Sequence, residues 1–149
     1  MNLHRVQLGS IIENALREDW GYGDWTTDLA VDSKKNASAY ILAKEQLVVA
    51  GLDVAEQVFQ IVDANLKVEK LSEDGRQAEN LEKLLRVSGN ARSILKAERV
   101  ALNFMGRMSG IATLTRKYVD QLDGLQTELL DTRKSTPGLR IIEKWATVI

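Results

Sequence analysis

The chain contains no cysteine, one proline and one histidine in 149 residues. Without cysteine there is no disulfide, no thiolate metal ligand and no thiol nucleophile. With His4 as the sole histidine, no histidine metal cluster can form within the chain. A Ser-His-Asp relay is disfavoured too, because His4 lies at an end expected to fray. No stretch approaches the run of about 18 apolar residues that a membrane-spanning helix requires. The opening residues Met1-Asn2-Leu3-His4-Arg5 lack an apolar core, so no secretory signal is expected. Aromatic residues make up only 5% of the chain and do not interleave with the basic residues, which argues against nucleic acid as a partner. A chain free of cysteine is compatible with a reducing compartment, and a cytoplasmic location is the expectation.

What is present fits a globular protein with a real core. Hydrophobic residues make up 44% of the chain, and the length is close to one ordinary domain. The formal net charge of −1 hides an asymmetry. Residues 1–90 hold 10 Lys and Arg against 15 Asp and Glu, a balance of −5; residues 91–149 hold 10 against 6, a balance of +4. An anionic ligand is therefore to be sought in the later part.

Residues 6–18 predict a helix whose apolar stripe is Leu8, Ile11, Ile12, Ala15 and Leu16. It stops at a loop, 18–28, rich in acids, glycines and aromatics. The acids there lack the regular spacing of a calcium loop, so Asp19, Asp24 and Asp28 read as capping and turn residues. Trp20, Tyr22 and Trp25 read as packing residues. Alternation over 36–45 predicts a strand, with Ala37, Ala39, Ile41 and Ala43 on one face. A short strand over 47–50 ends at Gly51, and Asp53 is placed to cap a helix carrying Val54, Ala55, Val58, Phe59 and Val62. Strands are further predicted over 66–71 and 83–87, on either side of an acidic loop. Helices and strands mix without strict alternation, which predicts an α+β layer with an antiparallel sheet.

After Gly89-Asn90 the pattern becomes helical over 91–108, with apolar residues on more than one face. One polar stripe, Arg92, Lys96, Arg99 and Asn103, remains on one side. Arg92, Lys96 and Arg140 read as solvated or structural. Ser109-Gly110 marks a bend or a close-packing point, and a second helix is expected over 111–122. A strand over 126–131 then runs into Thr132-Arg133-Lys134-Ser135-Thr136-Pro137-Gly138, and a last helix begins near Leu139. The order strand, polar loop, helix is that of ligand-binding loops in α/β folds. Adjacent Arg133 and Lys134 beside Thr132 suit carboxylate or phosphate oxygens: a planar fork, a mobile point charge and a short hydroxyl hydrogen bond. The same residue types serve equally well in a solvated turn, and residue chemistry alone leaves both readings open. Ser135, Thr136 and Pro137 read as loop geometry. The last helical pattern is still apolar at Ile149, so the chain reads as roughly the first half of something larger.

Four stretches, in order, resemble the quinolinate phosphoribosyltransferase family, also called the carboxylating nicotinate-nucleotide pyrophosphorylases. They are Glu18-Asp19-Trp20-Gly21-Tyr22-Gly23-Asp24-Trp25-Thr26-Thr27; the helical stretch from Gly89 to Asn103; Met108-Ser109-Gly110-Ile111-Ala112-Thr113-Leu114-Thr115; and Asp131-Thr132-Arg133-Lys134-Ser135-Thr136-Pro137-Gly138-Leu139-Arg140. The resemblance implies an α/β sandwich over 1–108, followed over 109–149 by the beginning of an incomplete α/β barrel, truncated at the chain end. It implies an enzyme of NAD biosynthesis, a glycosyltransferase, joining quinolinate to phosphoribosyl pyrophosphate with magnesium. The products are nicotinate mononucleotide, pyrophosphate and carbon dioxide. It further implies a homodimer or higher oligomer in which Arg99 reaches the neighbouring subunit's site, with Thr132, Arg133 and Lys134 binding substrate. The family's glycine-rich loop, His-Arg pair, further lysine and barrel-end acids have no counterpart here, so magnesium ligands are expected beyond residue 149 and this piece alone is expected to be inactive. The alternatives are a related transferase for another aromatic acid and a non-catalytic association module.

Overall fold

The computed structural model describes residues 5–149, with side chains from residue 8 onward. His4, expected at a frayed start, lies outside the described residues. The elements are α1 (Arg5–Trp20), α2 (Trp25–Ala30), β1 (Asn36–Leu42), β2 (Leu47–Val48), α3 (Leu52–Val62), β3 (Lys67–Lys70), β4 (Gln77–Ala78), β5 (Lys83–Asn90), α4 (Ala91–Gln121) and α5 (Arg140–Val148). The main sheet is antiparallel in the order β1-β5-β3, with Ala39 opposite Val87, Ile41 opposite Leu85 and Val68 opposite Val87. β2 and β4 form a separate two-stranded ribbon. The sheet turns one face inward through Ile41, Leu85 and Val87, while its other face carries Tyr40, with the Lys83 ammonium 4.3 Å from the ring centroid. Helices α1, α3 and α4 pack together, and the core runs through Leu8, Ile12, Val58, Phe59, Leu85, Val100, Met105 and Met108. Among the described residues no closed barrel is formed.

Three expectations are corrected. First, the expected division into helices over 91–108 and 111–122 is absent: α4 is one continuous helix of 31 residues. Ser109 is buried, and its hydroxyl leaves its own helix to engage Ala50, donating to the carbonyl at 3.1 Å and accepting from the amide at 3.0 Å. Four residues on, Thr113 Oγ1 accepts from the Val48 amide at 2.8 Å. The small residues mark close packing of α4 against the β2–α3 corner, and that packing outweighs the roughly 1 kcal/mol helix cost of a glycine. Gly51 lies at the same joint, with φ of +97° and no room for a Cβ, which would sit 2.9 Å from Met108 Sδ. Second, the strand expected over 126–131 is absent. The segment is irregular, and Leu130 is 82% exposed. An apolar run becomes a strand only when a neighbour completes its hydrogen-bond ladder, and no described strand lies beside it. Third, Trp25 and Tyr22 do not pack inward: both are exposed, whereas Trp20 is half-buried with its indole N–H on the Lys96 carbonyl at 2.9 Å.

The caps show which acids hold the fold. Asn90 caps α4 by accepting from the amides of Arg92 and Ser93, at 2.9 and 3.3 Å. Asp24 caps α2 through the Thr27 amide at 3.1 Å, as expected, and hydrogen bonding to Thr27 holds its carboxyl below the usual range. Asp53 does not cap α3; it pairs with Lys70. The cap comes from Asp74, across the loop, which accepts from the Leu52 amide at 3.1 Å and from that of Gly51. Burial pushes the Asp74 carboxyl above its ordinary value of 3.8, outweighing those hydrogen bonds. A carboxyl with a raised folded-state pKa favours folding at low pH and opposes it increasingly as pH rises through that pKa. Asp74→Asn keeps an acceptor oxygen without the charge. Its melting temperature relative to the parent is therefore expected to rise from pH 4 to pH 7, whereas Asp74→Ala, which loses the cap, is expected to melt lower at both pH values.

Candidate functional site

The long helix α4 carries the polar stripe, and the structure separates its members by role. Arg92 donates to the Val31 and Asp28 carbonyls at 2.7 and 2.9 Å, and Lys96 pairs with the Asp28 carboxylate at 2.7 Å. Both tie α4 to α2 and are structural. Asp28 is thus an ion-pair partner rather than a turn residue. Arg99 pairs with Asp19 at the end of α1, at 2.8 Å. The Asp19 side chain is largely buried, at 18% exposure, while that of Arg99 remains 71% exposed. The hydrogen bond it donates to Asp19 raises the guanidinium's affinity for its proton. Arg99 is thereby a permanently charged, outward-facing group with one edge held.

Eight residues further along α4, about 12 Å by helical rise, Arg107 meets the polar loop. Thr136-Pro137-Gly138-Leu139 is a turn closed by the Leu139 amide on the Thr136 carbonyl at 3.1 Å. Proline in its second position and Gly138 at φ of +82° in its third suit a type II turn. The turn delivers the chain into α5, whose first residues grip the loop that precedes it. Arg140 Nε donates to Ser135 Oγ at 3.0 Å, and Lys144 pairs with Asp131. The Glu143 carboxylate accepts from Arg107 Nε at 2.9 Å and from the Thr136 amide at 3.0 Å. Arg107 also donates to Thr136 Oγ1. The loop is held at Asp131, Ser135 and Thr136.

Between those anchors lie Thr132, Arg133 and Lys134, all exposed. Thr132 Oγ1 accepts from the Lys134 amide at 3.1 Å, and the Ser135 amide bonds the Arg133 carbonyl at 3.1 Å, so the apex is a tight local turn. Among the described residues, neither the Arg133 nor the Lys134 side chain has a hydrogen-bond or ion-pair partner. A held loop with two adjacent cations at its tip offers a bidentate fork and an ammonium to an anion at low reorganisation cost. No hydrogen bond or ion pair joins Arg99 to Thr132, Arg133 or Lys134. Among the described residues no cluster of three or more acidic or histidine side chains could hold a metal ion. Asp131 and Glu143, the acids beside the loop, are held by Lys144 and Arg107.

Comparison with known proteins shows the family and the fold. The profile of the quinolinate phosphoribosyl transferase N-terminal domain matches residues 24–109, and that of its C-terminal domain matches residues 111–149. The chain belongs to the quinolinate phosphoribosyltransferase family. It is 46% identical over 143 residues to a chloroplastic nicotinate-nucleotide pyrophosphorylase (carboxylating) of Arabidopsis thaliana. It is 45% identical over 143 residues to a mitochondrial quinolinate phosphoribosyltransferase (decarboxylating) of Nicotiana glauca. Each match covers 95% of this chain and 40% of the relative, so the chain spans well under half of these family members. The crystal structure of NadC from Streptococcus pyogenes superposes with a TM-score of 0.94 at 37% identity, covering 99% of this chain and 53% of that one. Mixed helices and small sheets without a closed barrel are thus the family's fold over this portion. No described helix is long and apolar enough to cross a membrane.

Sequence reasoning singled out Arg99 and the Thr132-Arg133-Lys134 loop but missed the residues that hold them. In the sequence Asp19 reads as a capping or turn residue. Arg107 was not singled out, although it continues the stripe of Arg99 and Asn103 by one further turn. Glu143, in the first turn of α5, carried the signal of an acid at a helix start.

Proposed function

We propose that this chain supplies part of the quinolinate site of a phosphoribosyltransferase of NAD biosynthesis. The observation that carries the reading is the braced loop with Arg133 and Lys134 exposed at its tip, in a chain whose relatives are named for this reaction. Quinolinate is a dicarboxylate and phosphoribosyl pyrophosphate a polyanion, so a site that holds both must be cationic. In this reading Arg133 grips a carboxylate with two parallel hydrogen bonds, Lys134 takes a further carboxylate or phosphate oxygen, and Thr132 contributes a hydroxyl or backbone hydrogen bond. Arg99, outward on a rigid helix and steadied by Asp19, reaches the site of a neighbouring subunit in a homodimer or larger assembly.

The chemistry asks little else of these residues. The quinolinate ring nitrogen forms the bond to the ribosyl carbon as the bond to pyrophosphate breaks. The carbon–carbon bond to the adjacent carboxylate then breaks, its electron pair draining toward the cationic ring nitrogen, and a proton replaces the carbon dioxide lost. No side-chain nucleophile is required; the chain positions reactants and balances charge. Magnesium, which the family resemblance implies with phosphoribosyl pyrophosphate, enters no step assigned to these residues. A cytoplasmic location is compatible with the lack of cysteine.

The test is an assay of the native protein for nicotinate mononucleotide formed from both substrates, with intact mass measured on the same sample. A subunit heavier than this chain, with turnover dependent on quinolinate, is the expected result, and the 149-residue chain alone is expected to give none. A heavier subunit forming no product from quinolinate would overturn the reading.

A further inference from the structure

Glu143 is the most engaged acid near the loop. Its side chain is 12% exposed, yet it lies in the first turn of a nine-residue helix rather than in the core. Burial alone would raise its pKa, but hydrogen bonds from Arg107 and Thr136 outweigh that and hold it below the ordinary range. One carboxylate therefore joins three parts of the chain: α4 through Arg107, the loop through the Thr136 amide, and α5 through its own backbone. The hydroxyl of Thr136 closes the triangle onto Arg107. Among the described residues no other hydrogen bond or ion pair ties Thr136 to the long helix, and α5 adds apolar packing against it. The exposed apex, by contrast, has only hydrogen bonds internal to the loop.

We propose that Glu143 is a positioning residue for substrate binding: by clamping Thr136 to Arg107 it fixes the place and direction of Arg133 and Lys134, without touching the ligand itself. The inference rests on the reading of that loop as the quinolinate grip. It predicts that cutting the brace weakens quinolinate binding out of proportion to the stability lost, because two mobile cations must then be ordered at the moment of binding. Arg107 is a positioning residue by the same argument.

The test uses a control of the same construction elsewhere in the chain. Glu82 accepts from the Arg76 guanidinium and from the Glu79 amide at 3.0 Å, the same kinds of partner that Glu143 has. Quinolinate is titrated into the native protein that carries this chain and followed through the backbone amide shifts of residues 132–136, with melting temperature measured on each variant. Glu143→Gln is expected to raise Kd about tenfold, the equivalent of about 1.4 kcal/mol. Glu82→Gln, with a comparable loss of melting temperature, is expected to stay within about twofold of the parent. Should Glu143→Gln fail to fold, Arg107→Gln cuts the brace from its exposed end and must shift Kd in the same direction. Equal Kd in the Glu143 (or Arg107) and Glu82 variants would overturn the positioning role. Arg133→Ala separates the two claims: if it abolishes binding while Glu143→Gln does not weaken it, only the positioning role fails. No quinolinate-dependent shift in the native parent protein overturns both.

Discussion

Arg133→Ala is expected to weaken quinolinate binding by roughly 10- to 100-fold while leaving the melting temperature unchanged. The two halves of that expectation have separate grounds. Hydrogen bonds to a charged partner contribute about 1.5–3 kcal/mol, and a bidentate guanidinium–carboxylate contact lies in the upper part of that range. The fold, however, asks nothing of this side chain: Arg133 is exposed, and among the described residues it has no hydrogen-bond or ion-pair partner. Surface substitutions of that kind change stability by about 0.5 kcal/mol or less. Arg133→Lys sharpens the test. It keeps the charge and loses the fork, so binding is expected to fall between that of the parent and that of the alanine variant, with a similar dependence on salt. Titration by amide shifts, repeated at two ionic strengths, measures all three. Parent-like affinity in Arg133→Ala would remove the residue from the site and return the loop to the solvated-turn reading.

Ser109→Ala is expected to be among the most destabilising single-atom deletions in the chain, at about 2–4 kcal/mol. The hydroxyl accepts from the Ala50 amide and donates to the Ala50 carbonyl, and Ala50 is fully buried. Removing it strands two backbone groups away from water, each at about 1–3 kcal/mol. For a chain of this size that corresponds to a fall in Tm of roughly 5–12 °C, measurable by calorimetry. Thr113→Val removes the neighbouring bond to the Val48 amide. Thr113 is only half-buried, so water reaches the freed amide more easily and a smaller loss is expected. The two hydroxyls hold adjacent parts of one segment, so the double variant should depart from additivity. A Ser109→Ala melting curve superimposable on the parent's would show that Ala50 finds other partners when the hydroxyl is gone.

These two sites show how differently a residue announces its role. Arg133 is legible because its neighbours are: two adjacent cations among hydroxyls, just before the chain's sole proline, form a local pattern. Ser109 is legible only as a small residue in a helix, open to being a bend or a contact. Its partner lies 59 residues away, and no local periodicity reports that distance.

The sequence by itself determined the helices with strong apolar stripes, the antiparallel character of the early sheet, the lack of disulfide and thiolate chemistry, and the motif order that marks the family. Those follow from side-chain period, composition and short-range spacing, which act within a few residues of each other. Only the tertiary structure decided that α4 continues unbroken through Ser109-Gly110, where Ala50 and Val48 use its hydroxyls. Only it showed that 126–131 forms no strand, because a strand exists by virtue of its neighbour. And only it assigned the acids. Asp19 steadies Arg99, Asp74 caps α3 in place of Asp53, and Glu143 braces the loop, since an ion pair is decided by which surfaces the packed core brings together.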